Sequence, residues 1–403
     1  MIRIGLIKEG KIPSDNRVAL TPEQCKRISS EFPEVQILVQ SSENRCYSDE
    51  EYRKAGFIPS DDISTADILL GIKEVPVEML IPDKTYFFFS HTVKKQPYNR
   101  NLFRKILEKK ITLIDYELLT HSNGSRILGF GYFAGIVGAH NGLYAYGKRT
   151  GSIELKRAFS FTSMQDLFNS YKKIKLPEIK IAVTGSGRVS QGILKIMDEL
   201  NIKQVSPDDF KKINYNYPVY THLKGGDLYV HKSQGNYNRN HFHGHPEEYI
   251  CLFPSYTAHT DILMNGIFWN EKIPRLFDWE DIRKEEFKLN TIADITDDKF
   301  GSVPCNLGDA TIDDPVYGVN KISGEKTAPY LKNSIDIMAV GNLPNELPRD
   351  ASENFGEEFI SYILPRLLSK AKDDILERAT MVKNGIITPA YAFLEDYGKP
   401  DGM

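Results

Sequence analysis

The chain has 403 residues, 41% of them hydrophobic and 26% charged, with a formal net charge of −3. These values suit a globular chain of two or three domains and exclude a strongly basic binder of nucleic acid or anionic membrane. Four cysteines lie far apart and nine histidines form neither a CxxC nor an HExxH pattern, which fits reduced thiols and no zinc motif.

The first apolar run, MIRIGLIKEG, is interrupted by charge and reads as a strand, not a signal peptide. No apolar run reaches the length of a membrane span, so the expected location is the cytoplasm. Ile2 to Ile7 is the first expected strand, followed by a polar loop to Asn16. Thr21-Pro22-Glu23 has the form of an N-cap with proline at the first helical position. Further strands are expected at Val35–Val39, at 67–73 ending on Lys73, at 85–90 followed by His91, and at 111–115 leading into Glu117. Helices are expected at 49–55 and 99–109. The alternation predicts an α/β fold with a mostly parallel sheet. Ligands of such sheets lie beyond the carboxyl ends of the strands, where Lys73, His91 and Asp115 to Glu117 fall.

Phe130 to Tyr146 predicts a long buried helix leading from a first domain into a second, and 151–178 predicts polar helix. The next segment, KIAVTGSGRVSQGILKIMDEL (180–200), runs strand, glycine turn, helix. This order opens a dinucleotide-binding βαβ unit, in which glycines admit the pyrophosphate and the helix start holds its charge. Gly185 and Gly187 fill the first two positions of GxGxxG; Ser190 takes the third, and the next glycine is Gly192. A plain βα turn without ligand is the alternative. The next strand is expected at Lys203–Val205. No acid for a ribose 2′-hydroxyl stands at its end; Asp208 and Asp209 lie beyond Pro207. Ser206, with Arg188 or Lys203 nearby, would accept a 2′-phosphate, which favours NADPH (NADP) while leaving NAD open. Residues 214–249 read as a loop-rich insert. His241, His243 and His245 alternate within it, but without a fourth ligand they make a weak metal motif, and no metal is expected. Late strands are expected at Thr291–Asp294 and Ser334–Val340, a helix at 352–373, and a helical tail from Lys383 packed on the first domain.

The segments GIKEVP (71–76), TYFFFSHTVKKQ (85–96), LIDYE (113–117), VTGSGRVSQG (183–192), NGIFWNEKIPRL (265–276), ADITDDKFGSV (293–303) and NLPNELPRDASENF (342–355) resemble the lysine-forming saccharopine dehydrogenases. The likeness is strongest to the reductase half of bifunctional aminoadipic semialdehyde synthase, and extends more distantly to alanine dehydrogenase. It implies two Rossmann-like domains, 1–128 plus 345–403 and 129–344, with an active-site cleft between them. It implies reversible reductive condensation of the L-lysine ε-amine with 2-oxoglutarate to saccharopine, using NADPH or NADH. These small molecules are the expected partners; nucleic acid and membrane are not, and a homo-oligomer is compatible.

By the same resemblance, Lys73 and His91 are the catalytic pair. Arg17, Gln96 and Arg126 bind substrate, and Glu117 tunes the lysine. Gly185, Gly187 and Arg188 form the phosphate turn, and Asp294 is the late-strand acid near the nicotinamide. Position alone gives a blander reading, a snorkelling surface lysine and a capping histidine. The residues alone favour that reading; the resemblance implies the catalytic one, since the amine condensation it implies needs groups that exchange protons near neutrality. Two rivals stay open: a related amino-acid dehydrogenase, for instance acting on alanine, and a catalytically silent nucleotide sensor.

Overall fold

The computed structural model describes residues 1–308, 310–369, 371 and 373–399. They divide into two compact units, Met1–Phe130 joined by the segment from Pro348 onward, and Gly131–Leu347.

Unit one begins with β1 (Ile2–Leu6), α1 (Pro22–Glu31), β2 (Val35–Val39), α2 (Asp49–Lys54), β3 (Ile68–Leu70), β4 (Thr85–Phe88), α3 (Arg100–Glu108) and β5 (Thr112–Asp115). The start of α1 is a reciprocal cap: Thr21 Oγ1 accepts the Gln24 N–H at 3.3 Å, and Gln24 Oε1 accepts the Thr21 N–H at 2.9 Å. The strands pair in parallel in the order β5-β4-β3-β1-β2. A parallel sheet is covered on both faces, and Tyr86, Phe87 and Phe88 of β4 are all fully buried. β3 stops at Leu70, so Lys73 stands in the turn beyond it rather than at the strand's end.

Unit two contains α4 (Gly131–Thr150), α5 (Met164–Tyr171), β6 (Lys180–Thr184), α6 (Arg188–Glu199), β7 (Lys203–Gln204), α7 (Pro207–Lys212), β8 (Val219–Leu223), β9 (Tyr229–His231), α8 (Arg239–Gly244), β10 (Tyr249–Cys251), β11 (Ile262–Asn265), α9 (Trp279–Ile282), β12 (Thr291–Asp294), β13 (Val316–Asn320), β14 (Lys326–Thr327) and β15 (Ser334–Met338). Its main sheet runs β14-β13-β15-β12-β11-β6-β8-β7, parallel from β15 to β7 and antiparallel at the other edge. Two expectations are corrected here. Residues 214–249 are not only an insert: they supply β8, which pairs directly with β6. Val219, Tyr220 and Thr221 favour a pleated, buried site, but the run is five residues long inside an Asn- and Gly-rich stretch. Residues 151–178 are helical only at α5 and in one turn at Ala158–Ser160.

α4 crosses α6 backbone to backbone. A Cβ on Gly135 would stand 2.0 Å from Val189 O, and one on Gly192 2.0 Å from Tyr132 O. Gly192 therefore serves the helix crossing. Ser190, at the third fingerprint position, is buried and donates its hydroxyl to Gly187 O at 2.8 Å.

The chain then returns to unit one through α10 (Pro348–Glu358), a π-helical turn at Phe359–Ile363, α11 (Leu364–Leu368), α12 (Asp374–Ala379), β16 (Thr380–Lys383), β17 (Ile386–Ile387) and α13 (Glu395–Gly398). The helix expected over 352–373 widens just before Pro365, which has no N–H to donate back along it. Lys370 and Lys372 lie outside the described residues. The tail is first a hairpin, not a helix: Asn384 (φ +50°) and Gly385 (φ +78°) turn β16 into β17, and β16 extends the sheet beyond β5. α13 then packs on α3, with the Phe103 and Tyr397 rings 5.5 Å apart. Among the described residues no helix is long and apolar enough to cross a membrane.

Candidate active site

In unit one the loops after β1, β3 and β4 converge on a charged cluster. His91 Nδ1–H donates to Glu74 Oε1 at 2.8 Å, and Lys11 Nζ reaches Glu74 Oε2 at 2.7 Å. Asn99 Nδ2 bonds Ser90 O at 3.1 Å and lies 3.4 Å from Glu74 Oε1. His91 sits in the left-handed region (φ +51°), a conformation costing on the order of 1 kcal/mol for a residue with a side chain. Its ring stacks beside Phe89. Glu9 accepts the backbone N–H groups of Ile72 and Lys73 at 2.6 and 2.9 Å, which anchors the turn carrying Lys73. Arg17, buried, is forked on Asp15 (Nε–Oδ1 2.9 Å, Nη2–Oδ2 2.5 Å), and its guanidinium lies 4.1 Å over the Phe130 ring.

The charges are mutually tuned. Burial and the nearby Arg17 lower the Lys73 pKa, opposed by Asp15 and Glu74. A lysine so placed gives up its proton more readily than one in water. Burial works against ionisation of Glu74, yet bonds from His91 and Lys11 hold it down at about 2. Asp15 is likewise held at about 2 by Arg17 against the effect of burial. Glu9 goes the other way: burial and the proximity of Asp15 push it up to about 8. One lysine with a weakened hold on its proton thus lies among a fixed carboxylate–histidine pair and a buried carboxyl group. Such a site can pass protons to and from a bound molecule.

Sequence reasoning named Lys73, His91 and Arg17, and all three lie on these loops. It expected Glu117 to tune Lys73. The groups that act most strongly on Lys73 are Arg17, Asp15, Glu74 and Lys11, while Glu117 pairs with Arg126. Gln96 stands before a short turn; its side chain accepts the Tyr98 hydroxyl and its carbonyl the Tyr397 hydroxyl at 2.6 Å. Glu9, Lys11, Asp15, Glu74 and Asn99 were missed. The signal for Glu74 was its place beside Lys73 in GIKEVP, and for Glu9, Lys11 and Asp15 the charge density of the loop KEGKIPSDNR; Asn99 had none.

In unit two the turn after β6 suits a phosphate. Gly185 has φ +103°, and a Cβ there would stand 2.4 Å from Gly266 O. Around Gly187 there is open space, and as N-cap of α6, whose first residue is Arg188, it contributes no side-chain cap. Helix starts of this kind attract anions. Ser206 is placed differently from expectation. It lies two residues beyond the edge strand β7, which β8 separates from β6, and its hydroxyl caps α7 by accepting the Asp209 N–H at 3.1 Å. Asp294, at the end of β12, is wholly buried and accepts bonds from Asn265 (2.8 Å), Thr296 (2.7 Å) and Asn306 (2.8 Å). Burial raises its pKa. Asn265 also accepts the Thr184 hydroxyl at 2.7 Å, so this network ties the ends of β6, β11 and β12 together.

Three histidines of the insert, His231, His241 and His245, but not His243, gather around Glu248. His231 Nε2–H donates to it at 3.0 Å, His241 Nε2 lies 3.9 Å away, and His245 lies at 4.0 Å from its other oxygen. His231 Nδ1 accepts the Ser233 and Gln234 N–H groups at 3.2 and 3.3 Å. That tautomer leaves the Nε2 proton on the side facing Glu248, where a metal would need a lone pair.

Residues 5–137 match the family described as alanine dehydrogenase/PNT, N-terminal domain. The chain is 30% identical to mitochondrial alpha-aminoadipic semialdehyde synthase of Rattus norvegicus, over 94% of this chain and 46% of that protein. It is 25% identical to the saccharopine dehydrogenase [NAD(+), L-lysine-forming] of Candida glabrata, over 92% of this chain and 94% of that one. The chain is homologous to both. It spans about half the length of the synthases. A solved L-alanine dehydrogenase superposes with a TM-score of 0.67 over 98% of this chain and 100% of that one, at 16% identity, and so shares the two-domain Rossmann-like fold.

Proposed function

We propose that the chain is an amino-acid oxidoreductase that condenses the ε-amine of L-lysine with 2-oxoglutarate and reduces the product to saccharopine, reversibly. The observation that carries this reading is the Lys73, Glu74 and His91 cluster, on a chain homologous over 92% of its length to a lysine-forming saccharopine dehydrogenase.

Gly185, Gly187, Arg188 and the start of α6 would hold the pyrophosphate of a nicotinamide dinucleotide. That cofactor supplies hydride to the carbon that has been joined to nitrogen. The protein's own part is proton traffic. The substrate ammonium must lose a proton before its nitrogen attacks the keto carbon, and the carbinolamine must then lose water. Lys73, with its lowered pKa, accepts the ammonium proton or polarises the keto oxygen. His91, fixed by Glu74, serves the carbinolamine steps. Arg17 and Arg126 are the cations for substrate carboxylates; Arg17 would share its fork with Asp15. The match to the alanine dehydrogenase/PNT domain and the alanine dehydrogenase fold support a second reading, an enzyme of the same type acting on a smaller amine and keto acid.

Absorbance of NADPH and NADH is followed with lysine and 2-oxoglutarate, and in parallel with ammonia and pyruvate. Oxidation that requires lysine and 2-oxoglutarate together, with saccharopine as product, supports the first reading. Oxidation with ammonia and pyruvate replaces it by the second. No turnover with nucleotide still bound leaves a silent sensor.

A further inference from the structure

The side chain that reads the adenosine ribose follows from strand order in unit two. In a doubly wound sheet the ribose lies beyond the carboxyl end of the strand flanking the phosphate-turn strand. The residue there distinguishes a free 2′-hydroxyl, which an acid holds, from a 2′-phosphate, which a cation holds. Order along the chain points to β7 and so to Ser206. Order in space points elsewhere, because β8 lies between β6 and β7.

Two contacts set the end of β8 against the glycine turn. The Gly185 N–H donates to Leu223 O at 3.1 Å, and His222 Nε2–H donates to Gly185 O at 2.7 Å. The next residue is Lys224, which is exposed. Asp227, the acid of the following turn, directs its carboxylate back to the Lys224 N–H at 3.3 Å. Lys203, the other lysine near the sheet edge, lies with its ammonium 5.7 Å over the Tyr217 ring. A lysine therefore follows the strand end where the ribose would be read, and Asp227, three residues on, bonds back within its own turn.

We propose that Lys224 selects NADPH over NADH by pairing with the 2′-phosphate of the cofactor. This rests on the dinucleotide reading of unit two, and it moves cofactor choice from Ser206 to a residue one strand closer to the turn. A lysine ammonium acts here as a compact point charge and needs no planar fork.

The test is binding to the full-length protein, read by calorimetry with adenosine 2′,5′-bisphosphate and 5′-AMP and by nicotinamide fluorescence with NADPH and NADH. Lys224→Ala is expected to weaken NADPH and the bisphosphate by on the order of tenfold or more, and to leave NADH and 5′-AMP within about twofold. Lys224→Glu should reverse the preference. Equal weakening of both nucleotides, no effect on either, or a larger loss in Ser206→Ala would overturn the assignment to Lys224 while leaving dinucleotide binding intact. Wild-type protein that binds neither nucleotide would overturn the dinucleotide reading itself, and this inference with it.

Discussion

His91 Nδ1 lies 2.8 Å from Glu74 Oε1, and the same carboxylate takes Lys11 on its other oxygen. Glu74 thus faces three donors, His91, Lys11 and Asn99. A glutamine at this position has one acceptor oxygen and an amide that donates. It cannot satisfy both His91 and Lys11, and it removes the carboxylate charge that both of them face. Glu74→Gln is expected to lower kcat by on the order of 10- to 100-fold with little change in nucleotide affinity. Steady-state kinetics beside a nucleotide titration checks this, and equal losses in both would place Glu74 in structure alone.

Glu9 acts through the backbone. Its two oxygens accept consecutive N–H groups in the turn that presents Lys73. Glu9→Gln keeps the shape but turns an NH₂ toward one of those donors, so the turn shifts and Lys73 moves with it. The expected result is a fall in kcat of roughly tenfold, since small misplacements of a reacting group are costly. Glu9→Asp, shorter by one methylene, should lose more. A pH–rate profile separates this from simple destabilisation. The Glu9 carboxyl sits at about 8 in the wild type, and the glutamine variant should lose whatever limb that group contributes.

His140, on α4, is fully buried. Its Nε2–H donates to Lys156 O at 2.7 Å, and its Nδ1 lies 2.8 Å from the Tyr171 hydroxyl, which donates to it. That arrangement suits the neutral ring, and burial lowers the pKa from 6.5 to about 4. The unfolded chain therefore binds a proton between those values that the folded chain refuses. Stability from this residue is full above about pH 6.5 and is lost as pH falls toward 4, by up to roughly 3 kcal/mol. Urea unfolding at pH 7, 5.5 and 4.5 should show this slope. His140→Gln, which cannot titrate, should flatten it even though its absolute stability is lower.

The sequence revealed unit one more fully than unit two, for physical reasons. Strands such as Val35–Val39 and Thr85–Phe88 are continuous apolar runs between clear breaks, and the Thr21-Pro22 cap is a local signal that tertiary contacts did not override. β8 was hidden because its partner residues in β6 lie 39 positions back in the chain, as in Lys180 with Val219, and nothing local states the pairing. Asn384-Gly385 was a readable hairpin signal that a helical reading of the tail passed over. Lys73 and His91 stood out by their places after strands, with a role given only by the resemblance, and Glu74 and Glu9 join them in the candidate site only once three loops are brought together. Asp294 was legible as a strand-end acid; that its oxygens hold Asn265, Thr296 and Asn306 was not.

The incomplete glycine fingerprint also acquires a cause. The third glycine of such a motif permits close packing of the helix against its surroundings. Here that demand falls on Gly192, two residues later, because α4 crosses α6 at this point. A Cβ on Gly192 would meet Tyr132 O at 2.0 Å and Ile136 N at 2.8 Å, both backbone atoms that no rotamer change can move. Gly192→Ala is therefore expected to force the helices apart and destabilise unit two by about 3 kcal/mol or more, despite alanine's better helix propensity. Ser190→Gly, at the fingerprint position proper, removes one hydroxyl bond to Gly187 O and should cost about 1–2 kcal/mol, from the lost bond and the glycine itself. Thermal unfolding of the two variants ranks them. If Ser190→Gly were the more damaging, the crossing of α4 on α6 would not be what replaces the missing third glycine.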